Sequence, residues 1–307
     1  MSQPKYRVSD KAPRGLFLRR APDKNDNSNK ITILPMGHPV TKKAQSAVPK
    51  WWEISTTVQG TSVDGFVNSD FLVADTIFVP PSAATGISAV HLRTNNPVRR
   101  SSKEYAANPL NENSQPTRDS TASPSDKAKQ LTDIVKWLDV ENKGRYLPNS
   151  KHTYCNIYAY DYCYLAGVYL PRVWWYPTAI DKLKKGNSVS PIYGKTVHEL
   201  NANSLYEWLR EYGPTFGWNA TFDYTAMQNA ANNGQVVIIC GANKVPNKSG
   251  HITAVVPETA NQKATKNGST VTHPLQSQAG ATNKKYMTRA WWTLPIFRGW
   301  GYWINMT

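Results

Sequence analysis

The chain of 307 residues has no long apolar run; no window approaches 18 uninterrupted apolar residues, so no membrane-crossing helix is expected. Its opening segment, MSQPKYRVSDKAPRG, lacks the apolar core of a secretory signal. Synthesis in the cytoplasm without a signal peptide is therefore expected, and work on anything outside the membrane requires a separate delivery system. Metal-ligand spacings are missing as well: there is no CxxC, no HxxxH and no cluster of carboxylates, so neither a metal nor a cofactor is expected. Cysteine is scarce. Three residues, Cys155, Cys163 and Cys240, make an odd count, so at least one thiol is free or pairs with another chain. Placed on one helix, Cys155 and Cys163 stand roughly 12 Å apart, beyond the ~7 Å between Cα atoms that a disulfide tolerates.

Charge is sparse too, at 19% of residues, and no Lys/Arg run exceeds two. None is interleaved with aromatics as a base-stacking groove would be, so nucleic acid is not an expected partner. Aromatic residues, by contrast, are plentiful: 11 Trp and 16 Tyr supply enough buriable surface for at least one packed core. The net charge of +15 divides as +4 over residues 1–75, +2 over 76–124 and +9 over 125–307. Such a diffuse positive field favours polyanions, among them the carboxylates and phosphates of bacterial walls; a merely solvated basic surface would carry the same charge.

Three regions follow. Residues 6–75 read as short strands, such as Leu16–Leu18, Ile31–Leu34, Trp51–Ser55 and Gly65–Val67, broken by turn-forming segments. Residues 76–124, with Pro80-Pro81-Ser82, Asn95-Asn96-Pro97 and a polar stretch from Asn111 to Pro124, read as a linker. From Ser125 a helix is expected to about Val140, with Ala128, Leu131, Ile134, Val135 and Leu138 inward. Further helices fit 155–166, stopped by Gly167, and 203–212. Strands fit 235–240, 251–256, 275–278 and 300–305. Helices first and sheet afterwards predict an α+β domain over 125–307.

Two segments carry chemistry. In Thr153-Tyr154-Cys155-Asn156, Thr153 suits an N-cap, which places Cys155 in the first turn of a buried helix. Helix N-termini lower a thiol's pKa and offer N–H groups to an oxyanion. Taken alone, the segment reads more plainly as a buried structural cysteine. The second segment, Ser249-Gly250-His251-Ile252-Thr253, sets an imidazole at the rim of an apolar strand after a glycine turn. A base there, facing a helix start, is what a thiol–imidazole pair needs. His38, His91, His152 and His273 fall in turns or linkers, and His198 precedes a helix.

These pieces carry two resemblances. Leu16–Pro22, Ile33–Gly37, Trp51–Ile54 and Gly65–Leu72 resemble a bacterial SH3-like (SH3b) domain, a small barrel whose members commonly bind wall peptides or glycans. Thr153–Asp161, Asn201-Ala202-Asn203 with Trp208-Leu209, Gly217-Trp218, Ser249–Pro257 and Gln278-Ala279-Gly280 resemble, in order, the papain-fold cell-wall hydrolases of the CHAP and NlpC-type groups. The second resemblance spans residues 146–304. It implies an α+β papain-like domain that cleaves a peptidoglycan amide, as endopeptidase or N-acetylmuramoyl-L-alanine amidase. Cys155 is then nucleophile and His251 general base. Gln278 matches the orienting position, with Glu258 as its competitor; strand alternation turns residue 258 away from the face of 251. Asn149 is a candidate oxyanion donor, and Asp161 is read as structural. Trp174 and Trp175 are candidate exposed aromatics for stacking sugar rings. The expected partners are peptidoglycan and a delivery system or immunity protein, with use as an endolysin or an antibacterial effector. A catalytically silent wall-binding protein and an acyltransferase are the alternatives.

Overall fold

The computed structural model describes residues 5–9, 11–12, 15–26, 28–34, 36–58, 61–75, 87–92, 108–221 and 223–306. Contacts sort the chain into two units, residues 1–83 with 210–215, and residues 84–209 with 216–307.

The first unit holds β1 (Lys5–Val8), β2 (Leu16–Arg19), β3 (Lys30–Leu34), β4 (Pro39–Gln45), β5 (Trp51–Val58), β6 (Thr61–Asn68) and β7 (Leu72–Ala74). They form one antiparallel sheet in the order β3-β2-β6-β5-β4-β1-β7. The β5–β6 hairpin stays in register from Trp51↔Asn68 to Val58↔Thr61. Alternation turns Leu16 and Leu18 of β2 inward, where they pack with Val8, Leu34, Ile54 and Val67.

The second unit opens with α1 (Pro124–Leu138), which starts earlier than Ser125 because Ser123 caps it, accepting from the Asp126 N–H, and Pro124 occupies the first helical position. Leu131, Ile134, Val135 and Leu138 line its buried face. There follow α2 (Cys155–Leu165), β8 (Val173–Trp175), α3 (Pro177–Lys184), β9 (Val197–Glu199), α4 (Ala202–Glu211), β10 (Trp218–Thr221) and α5 (Tyr224–Asn232). The remainder is strand: β11 (Val237–Asn243), β12 (His251–Val255), β13 (Thr265–Asn267), β14 (Thr270–His273), β15 (Gln276–Gln278), β16 (Lys284–Met287) and β17 (Phe297–Asn305). Six of these strands make a sheet in the order β10-β17-β11-β12-β15-β16. On one face Val237, Ile239 and Val255 pack against Met227 and Ala231 of α5 and against Trp291 and Trp292. The other face carries Ser277, whose hydroxyl meets the Tyr158 hydroxyl of α2 at 2.5 Å.

This architecture corrects the fold expected from sequence, a small SH3-like barrel followed by an α+β papain-like domain. Antiparallel sheets of seven and six strands, with only five α-helices among the described residues, make the chain more all-β than that. The physical reason lies in strands without a hydrophobic signature. Thr-Lys-Asn in β13 and Lys-Lys-Tyr-Met in β16 show no apolar alternation, and partner strands alone define them.

Within the segment read as a linker, 76–86 and 93–107 lie outside the described residues, including Pro80-Pro81-Ser82 and Asn95-Asn96-Pro97. Its described parts pack into the second unit. Ile87, Val90, Leu92 and Leu110 are buried. The Trp175 indole donates to the Ser88 carbonyl at 2.9 Å, and Arg118 donates to the carbonyls of Ala166 and Gly234. A few spaced apolar anchors suffice where the remaining backbone finds partners.

Candidate active site

Helix α2 is held from inside. Asp161, wholly buried, accepts from Arg145 Nε at 2.6 Å, from a second Arg145 nitrogen at 3.1 Å and from the Tyr146 hydroxyl at 2.9 Å. These bonds give Asp161 the structural role its position on the helix implied. The N-cap is Tyr154 rather than Thr153, and no side chain caps the helix. Its first N–H groups are thus left to the local surroundings, and Cys155 is the first helical residue, 4% exposed.

Strand β12 begins at His251. A side chain on the preceding Gly250 would run into the Gly241 carbonyl and the Asn203 side chain, so this close passage demands glycine. β15 pairs with β12 only at Ala254 and Val255, which leaves the edge beside residues 251–253 open. The backbone of Ile252, the residue that follows the histidine, lies close enough to pull the Cys155 thiol's pKa downward. No hydrogen bond joins the thiol to the imidazole among the described residues.

The imidazole is fixed on its other side. His251 Nε2 lies 2.5 Å from Gln278 Oε1. Gln278 Nε2 donates to the Thr282 carbonyl at 3.1 Å, which orients the amide so that its oxygen faces the ring. Nε2 must then carry the proton, and Nδ1 keeps the lone pair. Trp291 meets the imidazole edge to face, with centroids 4.6 Å apart at 80°. Its own indole donates to Gln276 Oε1 at 3.0 Å, and the Thr253 hydroxyl donates to the same oxygen at 2.9 Å. A side chain at Gly280 would press on His251 Cε1 at 3.3 Å.

Burial governs both ionisable groups. It pushes the Cys155 thiol up to about 11, against the pull of backbone groups at Ile252, Asn156 and Cys155. The helix start was expected to lower this thiol; removal from water outweighs it. Burial likewise pushes His251 down to about 4, while the Gln278 contact pulls upward. Both groups are therefore neutral near pH 7. Such a pair suits general-base transfer of the thiol proton during attack rather than a standing thiolate–imidazolium pair. Cys240, directly opposite Ile252 on β11, is also held far above its ordinary value by burial, with Cys155 adding to the push.

Other predicted residues fall elsewhere. Glu258 is engaged by Asn232, the Ala264 N–H and Lys266, at 2.8, 3.0 and 3.1 Å. Asn149 closes a local turn: its oxygen accepts from the Lys151 and His152 N–H groups and its amide donates to the Tyr154 hydroxyl. Trp174 and Trp175 are 4% and 3% exposed, which corrects their reading as an exposed pair. Adjacent bulky aromatics on a short strand between helices are packing material here: Trp174 lies in contact with Trp208 and Phe216. The aromatic the sequence did not single out is Trp300, 39% exposed, paired across the sheet with Gly241, which in turn pairs with His251. The role of Trp291 was also missed, and only its place beside Trp292 marked it.

Among the described residues no group of three His, Cys, Asp or Glu side chains could hold a metal ion, and no helix is long and apolar enough to cross a membrane. No family model matches the chain, and no curated protein or solved structure matches it either.

Proposed function

We propose that the second unit is a cysteine-dependent amide hydrolase whose substrate is peptidoglycan. The observation that carries this reading is one juxtaposition: a thiol at a helix start lies close to the strand backbone beside His251, whose ring Gln278 holds in a single tautomer. In the proposed reaction His251 Nδ1 takes the Cys155 proton as the sulfur attacks the amide carbon. Backbone N–H groups at the start of α2 receive the developing oxyanion. The imidazolium, supported by Gln278 Oε1, then protonates the leaving amine. A water, activated by the same imidazole, cleaves the thioester and restores the thiol. Catalytic hydrogen bonds are often long in the free enzyme, so His251 and Cys155 are expected to close on each other when substrate fills the site.

Peptidoglycan as substrate rests on the likeness of the segments between residues 146 and 304 to wall hydrolases and on the net charge of +15. Trp300 takes the sugar-stacking role first given to Trp174 and Trp175, being the exposed aromatic in the same row of the sheet as His251. The raised thiol and its missing hydrogen bond to the imidazole favour a second reading, a wall-binding protein without activity. One assay separates the two. Purified sacculi incubated with the chain are expected to release new amines, and Cys155→Ala is expected to abolish release while leaving pelleting with sacculi intact. Equal release by the variant, or none from either protein, ends the hydrolase reading.

A further inference from the structure

The first unit contains a cavity of about 380 Å3, within the range of small-molecule sites. Its apolar lining includes Leu16, Trp51 and Phe71. Its polar groups are cations and one amide: Lys11, Arg19, Lys24 and Asn68. Among the described lining residues no carboxylate occurs.

Arg19 is the unusual member. It is 5% exposed, yet its guanidinium bonds only neutral oxygens: the Asp26 carbonyl and Asn29 Oδ1 at 2.8 Å, and the Lys24 carbonyl at 3.3 Å. The exposed Asp26 carboxylate, held below its ordinary value mainly by Ser28 and in part by the Arg19 charge, is a nearby counter-charge that does not line the cavity. Nearby, Lys30 lies 4.1 Å from the centroid of the Phe17 ring and Arg19 lies 5.3 Å from it. The Lys30 ammonium is held below its ordinary value by burial and then by the Arg19 charge, which marks the same local excess of positive charge. Asn68 uses its side-chain oxygen to accept the Asp70 N–H, so its amide hydrogens remain to donate.

The lining thus combines positive, donor-rich groups with aliphatic and aromatic ones. We propose that this cavity binds the carboxylate end of a short apolar peptide. The cations hold the carboxylate, Asn68 donates to the neighbouring carbonyl, and a hydrophobic side chain rests on Trp51 and Phe71. A peptide C-terminus presents two acceptor groups and an apolar body together, matching the donors and the apolar lining. The inference concerns the first unit and stands whether or not the second hydrolyses anything.

The test is calorimetric titration of the full chain with N-acetyl-alanyl-leucine, with its C-terminal amide and with inorganic phosphate, at low and high salt. The free acid is expected to bind, the amide to bind at least tenfold more weakly, and high salt to weaken the acid. Lys11 and Lys24 are exposed, so the double variant Lys11→Glu, Lys24→Glu is expected to keep its melting temperature while losing at least tenfold in affinity. Arg19 is left intact because its bonds hold the 24–29 loop. No binding of the acid, equal binding of the amide, phosphate competing as strongly as the acid, or a folded double variant of unchanged affinity would each overturn the proposal.

Discussion

Single residues set the chemistry of the second unit. Gln278 acts on the imidazole through an amide oxygen, so it fixes the tautomer without adding charge. Gln278→Glu places a carboxylate there, which favours the protonated ring. NMR titration of the His251 ring is expected to move its midpoint upward from about 4; an unmoved midpoint removes Gln278 from its positioning role. The same histidine makes stability depend on acid. Its folded pKa lies below the ordinary 6.5, so as pH falls the unfolded chain binds the proton first. Its contribution is fully present above about 6.5 and is lost between 6.5 and 4, by up to ~3 kcal/mol. Urea denaturation at pH 7.5 and 4.5 reads this out, and His251→Asn is expected to flatten the dependence.

At the scale of elements, the β11–β12 hairpin places the imidazole and α2 places the sulfur. Gly250 sits where the two strands and Asn203 come closest. Gly250→Ala forces the backbone of residues 249–251 aside, at about 1–3 kcal/mol. A lowered melting temperature together with a shifted His251 ring resonance is expected, whereas Ala at the exposed Gly144, where an added methyl meets nothing within 4 Å, leaves both unchanged. Helix α2 owes its position less to its cap than to buried polar bonds. Asn156 donates to the Leu200 carbonyl at 2.9 Å, and Asp161 ties the helix to Arg145 and Tyr146.

For the whole molecule, each unit has its own hydrophobic cluster, one around Leu18 and Ile54, the other around Ile239 and Trp292. Two cooperative transitions are therefore expected in calorimetry. Asp161→Ala takes the carboxylate away from the buried Arg145 guanidinium, a loss of about 3–5 kcal/mol. It is expected to lower one transition and leave the other in place. A single transition that moves as one would show the two clusters to be coupled.

The sequence by itself determined the parts that local pattern controls. The face of α1 is written in Leu131, Ile134, Val135 and Leu138, the helix read over 155–166 begins at Cys155 although Thr153 does not cap it, and β12 follows its glycine turn. Strand alternation turned residue 258 away from His251, and in the structure the ring meets Gln278 while Glu258 bonds Asn232, Ala264 and Lys266. What only the tertiary structure decided was everything that depends on a distant partner. β13 and β16 are strands because of their neighbours, which is one reason the fold came out richer in sheet than the sequence suggested. Trp174 and Trp175 were buried by packing that no local signal announces. The ionisation of Cys155 was decided the same way: a helix start is visible in the sequence, but the loss of water around the sulfur is set by the strands and helices that enclose it, and here that loss is the larger effect.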